Sequence, residues 1–143
     1  MDGSKPSTAN YRRGQSPTAI AANAFFADPE TATFGGAVLN ITIGAGFAAG
    51  DQITFLSGNG VSRVGSRILF NNTTIGLISR TARTVQIAFN YNASAAAIGA
   101  TIRATAFNST SATTPLGDRN LRFEFFAGEG GFKAALVRVS VIT

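Results

Sequence analysis

Cysteine, histidine and tryptophan are all absent from this chain of 143 residues. Without cysteine the chain has no disulfide bond, no thiolate metal site and no cysteine nucleophile. Without histidine it lacks the commonest general base and the commonest ligand of transition metals, and a Ser-His-Asp triad is excluded. These absences remove most of the usual routes to catalysis and to metal binding.

Charged residues are also scarce. They make up 13% of the chain, against about 25% in an average soluble domain. Hydrophobic residues reach 45%, which is enough for the packed core of one domain of this length. Low charge beside ample apolar content suggests that part of the surface is covered in the working state, most simply by a neighbouring subunit. No run reaches the roughly 18 apolar residues of a membrane helix, so membrane insertion is not expected.

The net charge of +5 comes from twelve basic residues that are spread along the chain. Such a chain attracts polyanions only weakly. Lys5, Arg12 and Arg13 lie near Tyr11, and basic tails of this kind can contact phosphates. Three charges without a stacking platform for bases instead favour a solvated tail or an arm that grips a neighbour. Nucleic acid is therefore not an expected partner.

Composition divides the chain into two parts. Residues 1–17 are rich in Ser, Pro, Gly and basic residues, which predicts a flexible basic N-terminal arm. Over residues 18–143 short apolar runs are separated by Gly and Asn, a pattern typical of one β-sandwich domain.

Period-two alternation of apolar and polar side chains predicts strands. It is strongest at residues 37–43, 84–91, 119–127 and 135–143. Weaker patterns predict strands at residues 19–26, 51–56, 67–71, 74–79 and 104–108. The predicted fold class is therefore all-β.

One segment, residues 94–103, breaks the alternation because it is rich in alanine. Ser94 is a suitable N-cap, and Ile98 and Ile102 share one helical face at a spacing of four. Gly99 weakens the helix. We predict one short helix here.

Three apolar residues, Leu56, Phe126 and Ile142, fall out of phase with the predicted core side chains. A sandwich buries one face of each sheet, so these side chains are expected to point outward. Outward apolar side chains indicate a second contact surface.

Six acidic residues are candidates for a catalytic carboxylate pair. They are Asp28, Glu30, Asp51, Asp118, Glu124 and Glu129. None lies in a recognisable catalytic motif, and Lys5 and Lys133 lack the motif of a Ser-Lys mechanism.

Gly44 to Gly46 with Gly50 loosely resembles a phosphate loop, but a β-type segment follows where a helix is required, so a turn is predicted. We expect no catalytic, cofactor-binding or metal site, and hence no enzyme.

Several short motifs occur together in a familiar order. They are Asp28-Pro29-Glu30, Phe34-Gly35-Gly36 with the strand AVLNITI, residues 46–51, residues 57–61, residues 92–94, Ile102-Arg103 and residues 107–110. In this order, over about residues 18–143, they resemble the cadherin-like, immunoglobulin-like tandem repeats of very large bacterial surface and adhesin proteins.

The resemblance implies a Greek-key sandwich with one short helix, used in strings as a spacer or adhesive unit at the bacterial cell surface. Members of that family often bind calcium at module junctions, and the matching positions here are Asp28, Glu30 and Glu129. Calcium takes six to eight oxygen ligands, usually from several carboxylates. Three separated acids fall short of that number, so calcium binding is left open and no metal site is assigned.

The expected function is that of a non-catalytic structural module or self-assembling subunit of an extracellular or surface assembly, such as an adhesin-type repeat or a filament subunit. Its expected partners are copies of itself or neighbouring repeats. Two alternatives stay open. A viral or phage-type shell or decoration protein fits a basic arm on a small sandwich. A module that binds carbohydrate or a receptor would use the Asn/Gly-rich turns and Tyr91, with a surface glycan as ligand.

Overall fold

The computed structural model describes residues 7–20, 36–58, 60–111, 113–126 and 132–143. Within these ranges the chain forms eleven strands and one short helix, α1. The elements are β1 Ser7–Arg12, β2 Thr18–Ala19, β3 Val38–Ile43, β4 Asp51–Phe55, β5 Val61–Val64, β6 Arg67–Phe70, β7 Thr73–Arg80, β8 Thr84–Phe89, α1 Ala95–Arg103, β9 Thr105–Ser109, β10 Gly117–Phe126 and β11 Phe132–Ile142. The predicted all-β class is confirmed.

The strands are divided unequally between two sheets. Eight strands form the large sheet in the order β1-β11-β10-β3-β8-β7-β6-β5, and three form the small sheet in the order β2-β9-β4. Strand β1 runs parallel to β11, and the other neighbouring strands are antiparallel.

One core lies against both sheets. On β3 the inward side chains are Leu39, Ile41 and Ile43, and each is at most 1% exposed. The same alternation buries Val85, Ile87, Phe89, Leu121, Phe123, Phe125, Val137, Val139 and Val141. Ile53 and Phe107 of the small sheet belong to the same cluster. Each such side chain contributes about 1.5–3 kcal/mol through burial, so the four predicted alternations define a β-sandwich-like core.

The short helix forms where alanine interrupts the alternation. The Ser94 hydroxyl accepts a hydrogen bond from the Ala97 amide at 3.1 Å and so caps the first turn. Ile98 and Ile102 are both fully buried. The predicted helix, its cap and its buried face are confirmed.

The N-terminal segment differs from the prediction. Residues Ser7–Arg12 form β1 at an edge of the large sheet, and Tyr11 is fully buried. Its ring packs edge-on against Phe107 at 5.2 Å, and its hydroxyl donates to the Gln15 carbonyl at 3.1 Å. Residues 7–12 of the predicted flexible arm, residues 1–17, therefore form a strand instead, because one buried aromatic ring anchors a polar segment. Residues 1–6 lie outside the described part.

Within the described residues, the structure contains no helix with the length and apolarity needed to cross a membrane.

Candidate functional site

The loop between β3 and β4 packs directly on the start of β10. Gly44 donates its amide to the Asn120 carbonyl at 2.7 Å, and the Asn120 amide donates to Ala45 at 3.0 Å. Gly46 has a φ of +91°, and a Cβ atom there would collide with the main-chain oxygen of Asp118. Glycine is required because the two backbones approach so closely. The predicted turn is confirmed, and β4 follows it.

This packing brings a buried ion pair together. Asp51, the first residue of β4, contacts Arg119 of β10, with Oδ2 and Nε 2.7 Å apart. The side chains are 0% and 2% exposed. Asp51 Oδ2 also accepts the Ala48 amide at 2.8 Å, so the loop that positions the carboxylate also solvates it.

Arg119 holds the turn before β10 as well. Its Nη2 donates to Thr114 Oγ1 at 3.0 Å and to the Pro115 carbonyl at 2.8 Å, and Nη1 donates to Gly117 at 3.3 Å. Asp51 Oδ1, in contrast, is buried without a hydrogen-bond partner. The arginine is well solvated by protein groups and its carboxylate partner is only half satisfied.

A groove of about 470 Å³ lies beside this pair, between the edge of the small sheet and the β7–β8 turn. Its lining includes the apolar side chains Ile43, Ile53 and Val85, which are all buried core residues. Phe47 and residues 80–84 also line the groove.

Two arginines line this groove. The Arg83 guanidinium lies over the Phe47 ring, 4.5 Å from its centroid. Arg80 Nη1 donates to the Ile53 carbonyl at 2.6 Å. Burial lowers the pKa of Arg80, and the positive charge of Arg63 lowers that pKa further. The groove is therefore a region of positive potential.

The outer face of the large sheet carries a second feature, an apolar row that crosses six neighbouring strands. Register places Phe126 beside Val38, Val38 beside Ala88, Ala88 beside Leu77, Leu77 beside Arg67 and Arg67 beside Val64. Leu77 is 56% exposed and Val64 is 62% exposed. We call these six residues the apolar row, although Arg67 interrupts it.

The predicted outward residues are placed as follows. Phe126 and Ile142 are exposed, as expected, and Leu56 is half-buried. Tyr91 is also exposed, although its alternation aligned it with the core side chains of β8.

Of the six candidate acids, the three in the described part of the chain are each held by a different arginine. Asp118 contacts Arg138 at 3.7 Å, Glu124 contacts Arg122 at 3.1 Å, and Asp51 is buried as above. Asp28, Glu30 and Glu129, the positions matched to calcium sites, lie outside the described residues. Within the described part of the chain, no group of three or more acids could hold a metal ion.

The sequence interpretation missed the ion pair, although a signal was present. Arg119 has the same parity as the buried Leu121 and Phe123 on β10, and Asp51 has the same parity as Ile53 on β4. Two residues of opposite charge at inward-facing positions, on strands that lie near the same turn, indicate a buried ion pair.

Comparison with protein-family models, with curated proteins and with solved structures gave no match. The fold and the site define an all-β, sandwich-like protein with a buried ion pair, a basic groove and an exposed apolar row. The resemblance to cadherin-like bacterial repeats stays a prediction.

Proposed function

We propose that this chain is a non-catalytic structural module that associates with copies of itself through the outer face of its large sheet. The observation that carries the proposal is the apolar row. Exposed apolar side chains aligned on one face mark contact sites more often than scattered ones do. With neighbouring strands about 4.8 Å apart, a row that crosses six strands is roughly 24 Å long.

A second copy fits the row because the row is self-complementary under two-fold symmetry. A two-fold axis that runs along the strands reverses the order of the row. Leu77 of one copy then faces Ala88 of the other, and Phe126 faces Val64. The two rows have equal length, so each residue of one row faces a residue of the other.

Charge supports the same arrangement. The reversal carries Arg67 of one copy to Val38 of the other. Glu124 lies on the adjacent strand and on the same outer face as Val38, and it is partly exposed. Opposite charges at the edge of an interface fix its register even where they contribute little affinity.

The proposal that the module has no catalytic activity is supported by the arginines. Asp51, Asp118 and Glu124 are each engaged by an arginine. Because each of these three carboxylates is held by a different arginine, they do not form the carboxylate pair that glycoside hydrolysis requires.

A Greek-key path of the immunoglobulin or cadherin kind is part of the proposal. Strands β5 to β8 form a four-stranded meander, and β3 lies beside β8 rather than beside its neighbours in sequence. A Greek key likewise places a strand beside a meander to which it is joined by a long connection. Placement at a bacterial cell surface rests on the sequence resemblance alone.

The test is sedimentation equilibrium of the chain and of the Leu77→Asp variant over a range of concentrations from about ten micromolar to one millimolar. The unchanged chain should associate, and the variant should associate at least roughly tenfold more weakly, because a charge is then buried in the interface.

The matched control is Leu116→Asp. Leu116 is 51% exposed but lies outside the apolar row. This variant should associate like the unchanged chain. The proposal is contradicted if the unchanged chain is monomeric at every concentration. It is also contradicted if both variants lose self-association equally. Circular dichroism verifies that each variant is folded.

A further inference from the structure

We infer that the groove between β4 and the β7–β8 turn is a binding site for the oxyanion of a small ligand, held by Arg80 and Arg83. The oxyanion is a carboxylate, a phosphate or a sulfate group. This site is distinct from the outer face proposed for self-association, because its lining comes from the loop before β4, from β4 itself and from residues 80–85.

Arg83 is oriented for this role before a ligand arrives. Its Cζ atom lies over the Phe47 ring, 4.5 Å from the ring centroid. This cation–π contact restricts the guanidinium without using its N–H groups as hydrogen-bond donors. A guanidinium fixed in this way loses little conformational entropy when it binds an anion.

Arg80 is fixed by a different contact. One donor, Nη1, is bonded to the Ile53 carbonyl at 2.6 Å, and within the described residues the remaining N–H groups form no other hydrogen bond. Burial and the charge of Arg63 both disfavour the protonated form and lower the pKa of Arg80. A bound anion would relieve both effects, because it would replace lost solvation and offset the repulsion.

The described structure offers no internal anion to these arginines. Its ion pairs join Arg119, Arg122 and Arg138 to acids, and Arg63, Arg80 and Arg83 take part in none of them. The one acid in the lining is Asp51, whose Oδ2 is already held by Arg119 and by the Ala48 amide. Among the described residues, therefore, no acid other than Asp51 faces the positive potential of the groove.

The size and lining of the groove indicate the rest of the ligand. About 470 Å³ falls in the range of small-molecule sites, roughly 300–1,000 Å³. Ile43, Ile53 and Val85 give an apolar floor, while Thr81 and Gln52 supply polar groups at the rim. This combination suits one ring that carries an acidic group, such as a sugar acid, better than a bare inorganic ion.

The test is a titration of the isotopically labelled full chain, followed by amide chemical shifts in NMR. The probes are glucuronate, inorganic phosphate and inorganic sulfate, with glucose as the neutral counterpart of glucuronate. We expect saturable shifts at residues 50–53 and 80–85, with glucuronate the tightest binder and glucose silent. Binding of only phosphate and sulfate would retain the oxyanion site and reject the sugar ring.

The double variant Arg80→Gln/Arg83→Gln should weaken binding by about tenfold or more, since hydrogen bonds to charged groups are the strong ones. Each single variant should have a smaller effect, and the amide spectrum verifies the fold of each. Arg103→Gln is the matched control, because it removes an exposed arginine of α1 that belongs neither to the groove nor to the apolar row. Four results overturn the inference: no saturable binding, binding kept by the double variant, equal weakening in the control, or glucose binding as well as glucuronate.

Discussion

Arg119 is the largest fully buried side chain in the described core, although arginine is among the residues least often buried. It is tolerated because four acceptors surround its guanidinium, namely Asp51 Oδ2, Thr114 Oγ1 and the carbonyls of residues 115 and 117. A buried charge is costly unless it is paired and hydrogen-bonded. The pair therefore constrains the β3–β4 loop and the turn before β10 to one arrangement.

The first prediction concerns this pair. Asp51→Ala should lower the free energy of unfolding by about 3–5 kcal/mol, because it leaves the Arg119 charge buried without its counter-ion. The measurement is chemical denaturation followed by circular dichroism. Arg122→Gln serves as control, since it removes an exposed pair with Glu124 that should contribute less than about 1 kcal/mol.

A double variant completes the cycle. Asp51→Ala/Arg119→Met removes both charges and should be more stable than Asp51→Ala alone, because no uncompensated charge is left. If the double variant loses as much stability as Asp51→Ala and Arg119→Met lose together, the two charges are not coupled, which would contradict this account.

At the scale of elements, β1 is the main departure from expectation. It lies at the edge of the large sheet, where a short polar strand is common. Its sequence STANYR has the polar composition of a linker, and for this reason the sequence predicts an arm here. Ala9 and Tyr11 both face the core, and Tyr11 is the main anchor through its buried ring and its hydroxyl, which also accepts the Ser109 amide at 3.3 Å.

The second prediction is that removal of residues 1–13 lowers the free energy of unfolding by at least about 3 kcal/mol, the usual cost of losing a large buried aromatic side chain. Removal of residues 1–6 alone should change it much less, since β1 is retained. Thermal and urea unfolding of both shortened chains make the comparison. If the chain without residues 1–13 has the same free energy of unfolding as the full chain, the prediction of a flexible arm would be supported instead.

The elements that the sequence predicted are those whose alternation is set by burial on one face. Strands β3, β8, β10 and β11 are in this class, because each position is apolar or polar according to whether it faces the core. Strand β5, Val61–Val64, escaped prediction because only Val61 of its four residues is buried. A strand at a sheet edge with one anchor residue carries almost no periodic signal.

The same distinction explains what could be predicted of the sites. The outward Phe126 was identified from its phase, but the apolar row was not, because the row depends on register across six strands. The groove depends on the position of the β7–β8 turn over the small sheet. Arg80 and Arg83 are separated by two residues in sequence, yet Phe47 and Ile53, which orient them, lie more than twenty-five residues away. Contacts between sheets leave no local pattern in sequence.

At the scale of the whole molecule, net charge acts on both proposed surfaces and in opposite directions. Each copy carries a formal charge of +5, so two copies that meet through their outer faces repel one another. The same positive charge attracts an anion to the groove. Salt screens both effects, and the screening length falls from about 10 Å at 0.1 M to about 3 Å at 1 M.

The last prediction follows from this opposition. Between roughly 50 mM and 500 mM sodium chloride, self-association should strengthen several-fold, because screening removes repulsion while the apolar contact is retained. Over the same range, glucuronate binding should weaken, because its attraction to Arg80 and Arg83 is screened and chloride competes. Sedimentation equilibrium and the NMR titration in matched buffers measure the two trends. Self-association that weakens with salt would mean that ion pairs, rather than the apolar row, hold the copies together. Glucuronate binding that is indifferent to salt would mean that charge does not determine affinity in the groove.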